Sequence, residues 1–218
     1  MQKQIPFLII LMLTTCLLAQ QKNTNKILKN QLRIGLDLGV GVGFNSIDLF
    51  VDENNKPSSI SAGGGLKIGI NLRYIFNNKY EIGTGFSYNS STLRPELSNV
   101  STSFNRISIQ PTFKYLIGLD SKGNETLNLG IGYGFYTGGR LKVDAEELGF
   151  KEILNYRKAS GIVFLTEYEL VGTKKLGALI GIKYYNATYD NKQPVNDTDF
   201  DKLKGDGIDL YFGLTYKI

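Results

Sequence analysis

A chain of 218 residues is long enough for one domain with a sizeable buried interior, and its formal net charge of +5 is modest. Its 25 Lys and Arg are spread among 20 Asp and Glu with no basic run and no aromatic-interleaved patch, so nothing in it reads as a nucleic-acid footprint. There is no His and a single Cys, Cys16, in the N-terminal segment, which excludes imidazole relays and, in a mature chain, thiol nucleophiles.

Residues 1–19 read as a secretory signal peptide. Lys3 supplies the positive start, Ile5 to Leu18 the apolar stretch, and Leu17-Leu18-Ala19-Gln20 a cleavage site after Ala19. This segment is too short to be a spanning helix, and no other segment approaches the ~20 consecutive apolar residues that one needs. Leu13-Thr14-Thr15-Cys16 has a loose likeness to a lipoprotein processing site. Thr15 is an unusual residue before an acylated Cys, and Leu17-Leu18 continue the apolar run, so the plainer reading is a signal-peptide cysteine. Residues 20–30 form a polar lead-in.

From Gln31 onward, eight segments alternate between apolar and polar or Gly residues with a period of two, the signature of strands. In Gln31 to Phe44, Leu32, Ile34, Leu36, Leu38, Val40, Val42 and Phe44 share one face. Arg33, Asp37 and four glycines share the other. Gly64 to Phe76 follows, with Lys67 and Arg73 on its polar face. Asn77-Asn78-Lys79 is a tight hairpin connection, since Asn tolerates positive φ. Tyr80 to Tyr88 carries Glu81, and Phe104 to Ile117 carries Arg106 and Lys114. Glu125 to Phe135 is rich in Gly on its polar face. Ala159 to Leu170 carries Glu167 and Glu169, and Leu176 to Tyr189 carries Lys183. Ile208 to Ile218 closes the chain, with Asp209 and Lys217 opposite its apolar set.

The connections alternate long and short. Long loops are expected at Asn45–Gly63, Asn89–Ser103, Tyr136–Lys158 and Asp190–Gly205, as mobile surface segments; within the third, Asp144 to Leu154 is expected to form a short amphipathic helix. The charges are sorted as well: the apolar faces hold none. A Lys or Arg at a lipid midplane costs about 2 to 4 kcal/mol, which explains such sorting. Segments of 12 to 13 residues, at ~3.3 Å rise and ~40° tilt, reach about 30 Å, close to a hydrocarbon core. Tyr and Phe recur near segment ends, as in interfacial girdles. Together these features predict an all-β fold, an eight-stranded antiparallel up-and-down barrel with lipid outside and a polar lumen. Pro111 falls mid-strand, where its missing N–H predicts a bulge or a distorted ladder.

Other motifs are read as structural. The glycines of Gly39-Val40-Gly41-Val42-Gly43 recur within a strand with no following helix, so they do not form a phosphate cradle. An interior of eight strands is only just wide enough for side chains, and inward Gly leaves room for long charged ones. Arg33, Asp37, Lys67, Arg73, Glu81, Arg106, Lys114, Glu167, Glu169, Lys183 and Asp209 are therefore expected to form a lumenal charge network, structural rather than a solute pathway. Asp197-Thr198-Asp199-Phe200-Asp201 has the carboxylate spacing of a calcium loop, but Lys202 stands where the turn needs Gly, and the twelfth-position Glu is absent. No cofactor and no catalytic set is indicated.

The chain resembles the outer-membrane β-barrel domain proteins of Gram-negative bacteria, with OmpA/OmpX-type eight-stranded barrels nearest in architecture and porin-family or PorT-like barrels nearest in sequence style. The resemblance covers Gln31 to Ile218. Its most specific piece is Tyr211-Phe212-Gly213-Leu214-Thr215-Tyr216-Lys217-Ile218, similar to the C-terminal assembly signal of such barrels through Gly213, Tyr216 and Ile218. Ile218 replaces the usual Phe. The resemblance implies residence in the outer-membrane lipid, both barrel termini periplasmic, and delivery by the barrel-assembly machinery. It leaves three roles open: a non-enzymatic surface-binding or envelope protein acting through its loops, a transport or secretion component, or a soluble lipocalin-type binding barrel.

Overall fold

Thirteen strands form in the computed structural model, which describes residues 30–51, 56–95, 100–121, 124–145, 149–171, 175–192 and 200–218. The signal peptide, Cys16 and nearly all of the lead-in lie outside the described residues. In chain order the strands are β1 (Gln31–Gly43), β2 (Ile47–Val51), β3 (Pro57–Ile60), β4 (Gly65–Phe76), β5 (Tyr80–Thr92), β6 (Ser101–Gly118) and β7 (Glu125–Ala145). There follow β8 (Phe150–Asn155), β9 (Ala159–Val171), β10 (Leu176–Tyr185), β11 (Thr188–Asp190), β12 (Lys202–Lys204) and β13 (Gly207–Lys217).

Eight of these, β1, β4, β5, β6, β7, β9, β10 and β13, make a closed antiparallel up-and-down barrel. The last strand returns to the first in the register Arg33↔Lys217 through Gly43↔Gly207, and β10 pairs with the other side of β13. Closure gives each barrel strand two partners and removes the exposed edges of an open sheet. The β4–β5 turn leaves Asn77, Asn78 and Lys79 between the paired Phe76 and Tyr80, with Asn77 and Asn78 at φ 50° and 58°, the left-handed conformation that Asn tolerates.

Polarity is inverted relative to a soluble barrel. Leu36, Leu66 and Leu214 on the outward face are 58%, 68% and 52% exposed, whereas Arg73 and Glu169 inside are 2% and 0% exposed. Aromatic side chains ring both rims of the apolar band. At the rim bearing the short turns, Tyr74, Phe76, Tyr80, Phe113 and Tyr115 contact one another in series. At the opposite rim Phe44 and Phe164 both stack on Tyr184.

Pro111 distorts the ladder without a bulge of its own. Its pairing with Thr84 of β5 is unbroken, while pairing with β7 lapses between Ile109↔Phe135 and Thr112↔Gly132 and resumes in the same register. The register shift of β6 lies instead between Asn105 and Ile107.

The loop end differs most from expectation. The Asp144–Leu154 helix does not form: β7 continues to Ala145 and turns back as β8, pairing Asp144 with Lys151 and Arg140 with Asn155. The cause is the period-two run Leu141, Val143, Ala145, all buried, beside the open edge that β6 presents from Ser101 to Asn105. The predicted seventh segment likewise breaks at Tyr185, and Thr188 to Asp190 leave the barrel to pair with β12. The described parts of the first, third and fourth loops thus contain paired strands, β2 with β3, β7 with β8 and β11 with β12. Their inner surfaces join buried barrel residues such as Val163 and Tyr185 in an apolar core, in which Phe104 meets Tyr156 and Tyr189 edge-on at 5.9 and 5.3 Å. Ile60, Leu141 and Leu203 belong to it too, and Ser59 bridges to Arg94, tying the first loop to the second.

Candidate functional site: a packed lumen beneath a loop-end cleft

Parity within each strand decides which side chains enter the lumen, and the structure brings the predicted charges inside in two layers. Toward the turn end, the Arg73 guanidinium lies 2.7 Å from Glu81, 2.8 Å from Glu169 and 3.6 Å from Glu167. Lys114 lies 2.9 Å from Glu81 and 2.7 Å from Glu167, and Arg33 lies 2.7 Å from Glu169. Three cations and three carboxylates thereby neutralise one another where water is excluded, as buried charges require. Lys217, at the rim, is half-buried and outside this cluster.

The second layer, nearer the loop end, is looser. Asp37 accepts from Asn71 Nδ2 at 3.0 Å. Lys183 donates to Gln110 Oε1 at 2.7 Å, and Lys67 comes no closer than 4.0 Å to Asp209. Arg106 donates to the Gly63 carbonyl and to the Tyr185 hydroxyl, whose single proton faces two acceptors, Asp209 Oδ1 at 3.0 Å and the Gly63 carbonyl.

Several lumenal residues were not singled out as network members in the sequence. Tyr211 donates to Glu167 at 2.7 Å, Asn128 to Glu169 at 3.2 Å, and Thr215 to Glu169 at 3.2 Å. Their strand parity was the available signal. Tyr211 lies inward because Gly39 and Gly181 flank it on both neighbouring strands. A Cβ at Gly181 would stand 2.5 Å from the ring, and one at Gly39 2.9 Å from the Tyr211 Cβ. The space left among Asp37, Arg73, Gln110, Glu167, Lys183 and Tyr211 is about 30 Å³, room for about one water molecule.

A larger space opens at the loop end. A cleft of about 480 Å³ lies between the β2–β3 hairpin and the start of β12. Ile60, Ala62, Phe104 and Leu203 form its apolar floor, with Ile47 and Phe200 beside them; Asn45, Asp48, Lys202 and Lys204 supply polar groups. The Asp48 carboxylate accepts the Ser59 hydroxyl at 2.6 Å, holding one wall in place. Below the cleft, burial pushes the Tyr189 phenol up to about 12, so that it stays neutral. None of the predicted charge-network residues lines this cleft, because loop-end packing, not strand parity, creates it. Of the carboxylate run at Asp197–Asp201, residues 197–199 lie outside the described residues. Among the described residues no group of three or more carboxylate or thiol side chains is placed to hold a metal.

No family model and no curated protein matches the chain. Solved structures do. The outer membrane protein OprG from Pseudomonas aeruginosa superposes with a TM-score of 0.58 at 12% identity, covering 87% of this chain and 96% of that one. Outer membrane protein AlkL in lipid bilayers gives a TM-score of 0.51 at 10% identity, covering 90% and 94%. Neisserial surface protein A gives 0.50 at 16% identity, covering 87% and 97%. The inverted polarity, the closed eight-strand order and these likenesses agree: the chain has the fold of the OmpA/OmpX-type outer-membrane β-barrels.

Proposed function

We propose that the protein is an integral outer-membrane barrel that acts without catalysis, binding a small ligand or partner group at its extracellular end in the cleft beneath the first and fourth loops. The observation that carries this reading is the contrast between the two spaces: about 30 Å³ among mid-lumen ion pairs, against about 480 Å³ at the loop end. A cleft of that size, with an apolar floor and a few convergent polar groups, has the character of a small-molecule site. The exposed apolar band supports lipid outside the barrel and weighs against a soluble lipocalin-type role. In this reading both barrel termini are periplasmic, and Gly213, Tyr216 and Ile218 on the closing strand serve recognition by the barrel-assembly machinery.

The test uses the full chain in lipid nanodiscs, with a panel of small aromatic acids screened by ligand-observed NMR. Ala62→Trp fills the cleft floor and should abolish binding, while the heat-modifiable gel shift of a folded barrel is retained. Steady conductance in planar bilayers would favour the transport reading instead.

A further inference from the structure

Main-chain pairing runs almost all the way round the loop end. Among the described residues β12 pairs with β11, and the far side of β11 meets the segment after β8. There Tyr156 bridges to Asn191, Arg157 N–H donates to Asp190 O, and Lys192 N–H donates to Asn155 O. β8 pairs with β7, β7 with β6, and β6 with β5. Beyond β5, Arg94 exchanges main-chain bonds of 2.8 and 2.9 Å with Ser59 of β3, which pairs with β2. Only between β2 and β12 do the described residues show no pairing, and the cleft of about 480 Å³ lies there.

The gap is a fork in one ladder. β1 and β13 stay paired to Gly43↔Gly207, and Phe44 N–H still donates to Asp206 O at 3.0 Å. Continued in register, the ladder would join Ser46 to Lys204 and Asp48 to Lys202, yet these residues line the cleft unpaired. Each wall is held by a strand on its far side. Asn191 N–H donates to Asp201 O and Gly205 N–H to Ala187 O, so β12 bonds β11 through its odd-numbered positions. The main-chain groups of Lys202 and Lys204 therefore point into the cleft. Ser59 spends its main-chain groups on Arg94, so the opposite residue, Asp48, also turns its own toward the cleft.

Two open strand edges on one space offer donors and acceptors that an added strand satisfies. Parity then fixes its side chains. Leu203 is buried while Lys202 and Lys204 are exposed, so one face of a guest strand lies over Ile60, Ala62 and Phe104, and the other lies beside the two lysines. That outer face is short of negative charge. The Asp48 carboxylate is engaged by the Ser59 hydroxyl, and the ion pair this wall makes among the described residues is Lys202 with Asp190 at 4.0 Å.

We propose that the cleft takes its partner as an extended peptide, inserted as a strand between β2 and β12. Its apolar side chains face the floor and its acidic ones face Lys202 and Lys204. This ligand class rests on the cleft being a binding site and goes beyond it.

The experiment uses the full chain in lipid nanodiscs and acetylated pentapeptide amides of the pattern apolar-Glu-apolar-Glu-apolar, with Val, Leu or Phe at the apolar positions. Saturable binding is expected from at least one of them, with slowed hydrogen exchange at the amides of Asp48, Lys202 and Lys204. Methylating both Glu nitrogens of that peptide should weaken binding about tenfold or more, since it removes donors to one edge. Lys204→Pro, which removes a cleft-facing N–H but no bond to β11, should do the same while the heat-modifiable gel shift is retained. The methylated peptide needs no variant, so the test stands if Lys204→Pro fails to fold. Three results would overturn the proposal: no peptide binding, equal binding of the methylated peptide, or those amides already protected without peptide because the two edges pair directly. Small aromatic acids that still bind, and are lost in Ala62→Trp, would then leave the cleft reading standing without the strand.

Discussion

Replacing Arg73 with Met tests whether the turn-end charge layer holds the barrel together. Arg73 is 2% exposed; its Nε donates to Glu81 Oε1 at 2.8 Å, its Nη2 lies 2.7 Å from Glu81 Oε2 as an ion pair, and Nη2 donates to Glu169 Oε2 at 2.8 Å. Without the guanidinium, Glu81, Glu167 and Glu169 share only Arg33 and Lys114, so one buried carboxylate is left uncompensated. Breaking a buried pair in this way costs about 3–5 kcal/mol. The second substitution sharpens the argument. In Arg73→Met/Glu81→Gln the remaining ions are Arg33 with Glu169 and Lys114 with Glu167, each pair at 2.7 Å. Charge is again balanced, so the double variant should recover at least half of the loss, a coupling of about 1.5–3 kcal/mol. The assay is urea-dependent unfolding from lipid vesicles, with the folded fraction read by the heat-modifiable gel shift. A single variant within about 1 kcal/mol of wild type, or a double variant as unstable as the sum of the two singles, would refute the account.

Three further outcomes follow from the same geometry. Gly181→Ala should destabilise by about 1–3 kcal/mol, because its new methyl meets the Tyr211 ring, while Gly85→Ala, with nothing within 4 Å, should change little; the same unfolding assay separates them. Leu38→Arg should cost about 2–4 kcal/mol in vesicles if the outward face of β1 meets lipid, and a gain in detergent-free solubility with no such loss would contradict that. In the β7–β8 hairpin, the hydrogen bond from Lys151 Nζ, 2.8 Å away, holds the Asp144 carboxyl below its ordinary value, with Lys142 adding to it at 3.5 Å. A depressed acid contributes stability that is present above its unfolded value of about 3.9 and is lost as pH falls through the folded one. Hydrogen exchange of the hairpin amides should therefore accelerate relative to global opening below about pH 4 in the wild type, and this change should vanish in Asp144→Asn.

Most of the barrel was legible in the sequence because strand parity is a local property. Alternation alone placed Arg73, Glu81 and Glu169 on one face and Leu36, Leu66 and Leu214 on the other, and the faces of a closed sheet can only be inside and outside. The Asn77-Asn78 turn was equally local, a matter of which residues accept positive φ. The loop end was not legible. Asp144 to Leu154 has the composition of a short helix, yet it extends the barrel as a hairpin because β6 offers an unpaired edge there, a partner more than thirty residues away in the chain. The cleft above Phe104 depends on how the first and fourth loops pack against β6, and no period or motif records that.

The sequence by itself therefore determined the strands, their two faces and the identity of the charges confined to the lumen, since each follows from residues two apart. Only the tertiary structure decided which charges meet. Register and shear bring Arg73 to three carboxylates from two other strands, and leave Lys67 and Lys183 above one tyrosine ring with no carboxylate nearer than 4.0 Å. Coulomb energy and desolvation depend on those cross-barrel distances, which no single strand contains.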